Sequence, residues 1–213
     1  MSIKILCKGA FIMIQIETYQ DEYFEEIITL LVSSFESKFC HRQSLSVIDI
    51  KNLLSILWDL SAKDESLLHF VAKEEDKIVG DILIQCDKPH KNKGQQRIPL
   101  YDLIRKYGFF NMMLLIYKLG ILEVFKHDNC YIEHIAVDET MRGRGIGDML
   151  LSHAEAALKE RGCSSLSLAV AKENPARHLY IRKNFKEVQY LNSRFKGYFL
   201  GINEWILMKK SLN

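Results

Sequence analysis

Apolar and polar positions alternate along this chain in two periods, and the period switches back and forth several times. MIQIETY, from Met13 to Tyr19, alternates with a period of two, which predicts a strand. From Asp21 to Phe35 the apolar residues fall at 24, 27, 28, 31, 32 and 35. That is helical spacing, with acidic residues in the first turn where the helix dipole favours them. Val47 to Leu60 repeats the helical period. Leu67–Ala72 and Lys77–Gln85 are strand-like runs around the charged stretch Glu74-Glu75-Asp76, and read as a hairpin. CYIEHIAV, from Cys130 to Val137, predicts another strand. Ile146 to Arg161 has apolar residues at 146, 150, 151, 154, 157 and 158, and Gly162 stands where a helix usually ends. Ser165–Val170 predicts a strand, and Pro175–Lys183 a short helix capped by Asn174. Lys186–Leu191 and Glu204–Met208 close the chain as strands. Strand-helix-strand units in the second half require a parallel pair, and the hairpins require antiparallel ones. The expected fold is a mixed α/β sheet with helices on both faces.

The segment 87–129 stands outside this alternation. It opens as DKPHKNKGQQR and then turns strongly apolar, IPLYDLIRKYGFFNMMLLIYKLGILEVF. An insertion of this length predicts one or two helices of its own. Their apolar residues must be buried on the core, over a ligand site or against a second subunit, which makes a homodimer one expected arrangement. Its longest apolar run, residues 109–125, carries Asn111, Lys118 and Glu123 and falls short of the ~20 residues needed to span a bilayer. Residues 1–12 read as an N-terminal extension, because a second Met at 13 begins the first strand-like segment. They lack the cleavage site of a secretory leader. The expected organisation is therefore an extension at 1–12 and one domain at 13–213, with a helical insertion at about 87–128.

Composition narrows the function only by exclusion. With 48% hydrophobic and 26% charged residues, the 213-residue chain has the apolar content of a globular core. A formal net charge of +2 calls for neither nucleic acid nor a membrane as partner. The five cysteines are odd in number, dispersed and without a C-x-x-C pair. They predict free thiols in a reducing cytoplasm, not a disulfide framework. No H-x-x-x-H or H-E-x-x-H pattern occurs, so no metal site is predicted.

The chemistry concentrates in VDETMRGRGIG, residues 137–147, between the Cys130 strand and the Ile146 helix. At such a junction the first helical amides lack internal partners and point outward at the positive end of the dipole, which suits a phosphate. Gly143, Gly145 and Gly147 let a ligand approach those amides, and Arg142 and Arg144 add charge. The spacing is neither that of a P-loop nor the G-x-G-x-x-G of dinucleotide-binding folds.

Arg142-Gly143-Arg144-Gly145-Ile146-Gly147 matches R/Q-x-x-G-x-G/A, and Asn174 to Phe185 (NPARHLYIRKNF) follows about thirty residues later. In both features the chain resembles the GNAT family of N-acetyltransferases, whose second motif often reads N-x-x-A-x-x-L-Y-x-x-x-G-F. The resemblance covers about residues 130–190. It implies a mostly antiparallel, twisted sheet with a splayed parallel strand pair. It also implies acetyl-CoA as cosubstrate, its pyrophosphate on Arg142, Gly143, Arg144, Gly145, Ile146 and Gly147 and its pantetheine beside Ile135, Ala136 and Val137. Tyr180 takes the position of the family tyrosine that protonates the departing thiolate, and Glu133 that of a carboxylate base. Under strict alternation Glu133 shares a face with Ile135 and Val137, and His134, pointing oppositely, is the competing base. Two positions depart from the pattern. Glu173 stands seven residues before Tyr180, where the family's cofactor-binding Asn is commoner, with Asn174 one residue closer. Asn184 replaces the usual Gly before Phe185. The implied function is acetyl transfer from acetyl-CoA to an amine, on a small molecule or a protein, by direct attack in a ternary complex. The alternatives are a non-catalytic module that binds acyl-CoA and a nucleotide-dependent oxidoreductase.

Overall fold

The computed structural model describes residues 2–7, 10–58, 65–86, 98–123 and 130–212, with the backbone alone at 2–12 and 121–123. Among these residues eight strands form one sheet: β1 (Ser2–Cys7), β2 (Ala10–Thr18), β3 (Leu67–Glu74), β4 (Lys77–Cys86), β5 (Cys130–Val137), β6 (Ser165–Ala171), β7 (Lys186–Asn192) and β8 (Glu204–Ser211). Their order is β1-β2-β3-β4-β5-β6-β8-β7, and every neighbouring pair is antiparallel except β5 and β6. The strand expected from Met13 begins at Ala10 and is preceded by β1, which pairs with it from Ser2↔Gln15 to Cys7↔Ala10.

The helices are α1 (Phe24–Ser34), α2 (Glu36–Phe39), α3 (Val47–Leu57), α4 (Leu100–Tyr107), α5 (Phe109–Glu123), α6 (Ile146–Glu160), α7 (Ala176–Arg182) and α8 (Arg194–Leu200). They divide between the two faces of the sheet. One face carries α6 and α7, packed through Ile146, Met149, Leu150, Ala154, Leu158 and Tyr180 on Ile82, Ile84, Ile132 and Leu168. Gly80 lets α6 approach closely: a Cβ there would lie 2.9 Å from Ile146 Cγ2 and 3.1 Å from Leu150 Cδ1. The other face carries α1, α3, α4 and α5, packed through Ile27, Leu31, Leu53, Leu103 and Met112 on Val71, Ile78 and Leu83. A third, smaller cluster joins Leu200 of α8 to Tyr131 and Trp205.

Local chemistry explains the helix boundaries. Ser46 caps α3 with a reciprocal box: its Oγ accepts the Asp49 amide and the Asp49 carboxylate accepts the Ser46 amide. Gly162 (φ 75°) ends α6 and Asn184 (φ 64°) ends the turn after α7, both left-handed. The insertion, for which one or two helices were expected, carries α4 and α5 among the described residues. Its basic opening, Lys88 to Arg97, lies outside the described residues. Lys118 is fully buried and donates to the carbonyls of Phe39 (2.8 Å) and His41 (2.5 Å), which pins α5 to the end of α2. Burial pushes its amine down to about 8. The outer side of the pair stays exposed at Tyr101, Phe109, Phe110, Met113 and Ile116.

Periodicity predicts neither β1, which forms within the expected N-terminal extension, nor α2 and α8. The amphipathic period of α2 is too short to register against α1, and α8 lies in a stretch whose apolar residues pack on α5 through Tyr117, Phe195 and Phe199.

Candidate active site

The parallel strands β5 and β6 meet at one registered pair, Tyr131↔Ser167, and separate beyond it. From Ile132 to Val137 the β5 edge that faces β6 therefore has no ladder partner, while its other edge stays paired to β4 up to Gly80↔Val137. Ser167 Oγ donates to the Cys130 carbonyl at 3.3 Å and ties the closed end of this wedge. The open end leads onto the loop before α6.

That loop is held by its own side chains. Asp138 accepts the Thr140 amide (2.9 Å) and hydroxyl (2.6 Å) at Oδ1, and Lys77 at Oδ2 (2.8 Å). Lys77 first, and then Thr140, hold the Asp138 carboxyl down at about 2. Arg142 Nε donates to the Val137 carbonyl (3.2 Å), and an Arg144 guanidinium N–H donates to that of Thr140 (3.1 Å). Both guanidinium groups thus brace the loop and keep further N–H donors for an anion. Gly143 and Gly145 have φ of 76° and 82°, and nothing lies within 4 Å of the Cβ that either lacks. Gly145 occupies the N-cap of α6, so no N-cap side chain takes up the first amides of that helix. Gly147 differs. A Cβ there would sit 3.1 Å from Leu179 Cδ2, so this glycine serves the packing of α6 on α7, not the approach of a ligand.

Tyr180 of α7 lies in the core beneath the wedge, 5% exposed, its ring 5.9 Å from that of Phe185. Burial raises its phenol above the ordinary tyrosine value, so the group stays protonated and remains a donor. Asn174 spends its side-chain oxygen on the Ala176 amide (2.9 Å) and thereby opens α7. Tyr131 is a neighbour that no motif announced. It is buried, and burial raises its phenol although the hydroxyl bonds to the backbone of Ala169 across the wedge.

The alternation expected along β5 breaks at Glu133. Leu83 faces His134 and Ile84 faces Ile132, so Glu133 is the extra residue of a β-bulge. Ile132 and Ile135 both pack in the α6 core, with two residues between them instead of one. Glu133 therefore does not follow the simple face assignment with Ile135 and Val137. It is half-buried, near enough to the Tyr131 hydroxyl to help raise it.

His134 lies on the α1/α3 face, where three adjacent strands converge. Leu83 of β4 pairs with His69 of β3 on one side and His134 of β5 on the other. Asp81, two residues from Leu83 on the same face, lies diagonally between both imidazoles. His69 Nε2 is 2.5 Å from Asp81 Oδ1, and His134 Nε2 is 2.7 Å from Asp81 Oδ2. The second contact is nearly as short but lies off the line of a hydrogen bond. Tyr19 stacks on His69 (4.2 Å between centroids), and the Trp58 ring lies 5.9 Å from that of His134. Asp81 is wholly buried. Burial works to raise its carboxyl, but His134 and His69 together outweigh burial and hold it below the ordinary range. Donor atoms sharing one ion at bonds of about 2.0–2.1 Å stand about 3.3 Å apart, so these shorter separations suit shared protons. The signal in the sequence was Asp81 itself, a carboxylate inside the apolar run KIVGDILIQ. Its partners come from other strands and carry no local pattern. On the opposite face the sulfurs of Cys86, Cys130 and Cys163 lie within 4.8 Å of one another. Burial, and then the neighbouring Cys163 thiol, push the Cys130 thiol up, which disfavours a thiolate nucleophile there.

The family model described as "Acetyltransferase (GNAT) family" matches residues 24–185, about three quarters of the chain. The chain belongs to the GNAT acetyltransferase family. No curated protein shows significant sequence similarity to it. Solved structures share its fold. An N-acetyltransferase from Staphylococcus aureus Mu50 aligns at a TM-score of 0.59 and 15% identity over 94% of this chain and 99% of that one. The ribosomal-protein-S18-alanine N-acetyltransferase from Escherichia coli aligns at 0.54 and 17% over 94% of both. A chain of the NatC complex bound to Gag peptide and CoA aligns at 0.53 and 16% over 94% and 99%. Membership implies acyl transfer from acyl-CoA to an acceptor. Among the described residues no helix is long and apolar enough to cross a membrane.

Proposed function

We propose that this GNAT acetyltransferase moves an acetyl group from acetyl-CoA to an amine by direct attack in a ternary complex. The observation that carries the reading is the wedge between β5 and β6, opening onto a glycine loop whose amides and guanidinium groups converge. Acetyl-CoA supplies an acyl group activated as a thioester. The first amides of α6 with Arg142 and Arg144 suit its pyrophosphate, in the space left free at Gly143 and Gly145. The unpaired edge of β5 from Ile135 to Ala136 offers backbone groups to an amide-bearing arm. The Val137 carbonyl is already engaged by Arg142, so this residue contributes mainly its side chain.

Tyr180 donates to the sulfur as it leaves. With its phenol raised above about 10 and a cysteine-like thiol near 8.5, full proton transfer would run uphill by at least roughly 2 kcal/mol. Its role is then a hydrogen bond to the developing thiolate, with solvent as the final proton source. Glu133 and His134, adjacent on β5, are the two candidate bases for the amine. The acceptor enters from the face of α1 and α3 beside Trp58, whose ring packs edge-on against the buried Phe39 and lies near that of His134.

Thermal shift with acetyl-CoA, NAD and ATP, followed by release of CoA thiol with polyamines, amino acids, aminoglycosides and peptide N-termini, tests the reading. Stabilisation by acetyl-CoA with turnover of one acceptor class is expected. Binding without turnover of any amine would favour a non-catalytic acyl-CoA module, and preference for NAD would overturn both.

A further inference from the structure

We propose that His134 is the general base for the acceptor amine, and that Asp81 and His69 are positioning residues that fix its tautomer and orientation. This inference rests on the acyltransferase reading above. A carboxylate with no exposed surface, on the middle strand of three, persists only if its oxygens are supplied with hydrogen-bond donors. The two nearest are the Nε2 atoms of His69 and His134, one at each oxygen. Both rings must then carry a proton on Nε2, which leaves a lone pair on Nδ1.

For His69 that lone pair is spent on nothing. Its Nδ1 is buried with no hydrogen-bond partner, and the ring is held flat against Tyr19. In this proposal His69 is the ring that anchors Asp81 through its Nε2–H, with Nδ1 left unprotonated. His134 differs by position. It stands three residues beyond Tyr131, where β5 has already parted from β6, and it keeps 8% of its surface exposed. Its Nε2 lies 2.7 Å from Asp81 Oδ2 but off the line of a hydrogen bond, and the proposed role requires the ring to turn about its last torsion to close that bond. The remaining nitrogen, Nδ1, is free to take a proton from a group entering beside Trp58.

The bulge at Glu133 makes this arrangement possible. Without the extra residue, strict alternation from Ile132 would carry position 134 to the α6 face. With it, His134 faces α1 and α3 together with Asp81, Val71 and Leu83. The chemistry then balances as follows. The C–N bond forms at the acyl carbon as the C–S bond breaks, and the bonding pair leaves with sulfur. Nδ1 of His134 takes the proton released by the amine nitrogen, and Asp81 stabilises the imidazolium so formed. Sulfur receives its hydrogen bond from Tyr180 and its proton from solvent, and His134 returns its own proton to solvent.

The test is imidazole 15N NMR on the full chain labelled at histidine, free and with acetyl-CoA, beside kinetics with the best acceptor of the amine panel. His69 and His134 are expected as Nε2–H tautomers. Asp81→Asn should shift both resonances, and His69→Gln, which leaves the carboxylate in place, should shift that of His134. Acetyl-CoA should perturb His134 more than His69. His134→Gln should lower kcat by ~100- to 10,000-fold with the acetyl-CoA thermal shift retained, and Glu133→Gln should cost at least ~10-fold less. Finding His134 protonated at Nδ1, or a loss in Glu133→Gln equal to that in His134→Gln, would overturn the assignment. Failure of acetyl-CoA to bind the wild type would instead sink the acyltransferase reading, while the tautomers would still decide whether the His69–Asp81–His134 relay exists.

Discussion

Gly145→Ala separates backbone strain from ligand access at the loop. Gly145 has φ 82° and ψ 3°, and a Cβ there would meet nothing within 4 Å. No steric clash with the protein can therefore contribute, and the cost to the free protein is that of a left-handed alanine, about 1–2 kcal/mol. For a chain of this size each kcal/mol lowers Tm by roughly 2–4 °C, so a fall of about 2–8 °C is expected without ligand. Gly145→Asn should recover much of that loss, because asparagine tolerates the left-handed region far better. Affinity for acetyl-CoA is a separate quantity. The new methyl projects into the space in front of the α6 amides, so both variants should bind acetyl-CoA at least ~10-fold more weakly, about 1.4 kcal/mol. Differential scanning calorimetry of the free protein and titration calorimetry with acetyl-CoA measure the two independently. If the alanine variant keeps its Tm, positive φ is not needed at the cap. If it loses stability yet binds acetyl-CoA as tightly as the wild type, the open space at Gly145 is not where the phosphates lie.

Three further outcomes follow from the same geometry. Tyr180→Phe removes one hydrogen bond to a charge that exists only late in the reaction, worth about 1.5–3 kcal/mol. It should lower kcat by roughly 10- to 100-fold with little change in acetyl-CoA affinity, and an unchanged kcat would end the proposed role. Lys118→Met leaves the carbonyls of Phe39 and His41 without their donor and should cost about 1–3 kcal/mol in chemical denaturation. The folded Lys118 titrates at about 8 against 10.5 unfolded, so the unfolded chain binds more protons between those values and wild-type stability gains as pH rises through them; the methionine variant should lack that gain. Asp138 is the opposite case. Its carboxyl is held at about 2 against 3.8, so its contribution is complete above about pH 4 and is lost as pH falls toward 2. Asp138→Asn should remove that component, read as a flatter acid limb in the stability curve, and an acid limb equal to that of the wild type would show the Lys77 pair to be without effect.

The loop before α6 was legible in the sequence as a candidate phosphate site because all its determinants are local. A strand, two glycines at positive φ, an uncapped helix start and a second motif about thirty residues on require no knowledge of tertiary structure. The positions of most strands along the chain were likewise accessible from periodicity. The register of β5 was not. Glu133 and His134 are adjacent, and alternation assigns them to opposite faces until one knows that Ile84 faces Ile132 while Leu83 faces His134. A bulge is a property of two strands at once, and β4 lies more than forty residues upstream of β5, beyond the whole insertion. The same holds for His69 and Asp81, which reach His134 only because three strands lie side by side with Leu83 between them. What one strand could nevertheless report was the anomaly of Asp81, a charge where both neighbours are apolar. A buried carboxylate implies donors nearby, and in this fold the donors it draws in are imidazoles, one sealed against Tyr19 and one left at the edge of the wedge. The feature that looked like a flaw in the apolar pattern is thus the residue that sets which nitrogen of His134 faces the acceptor.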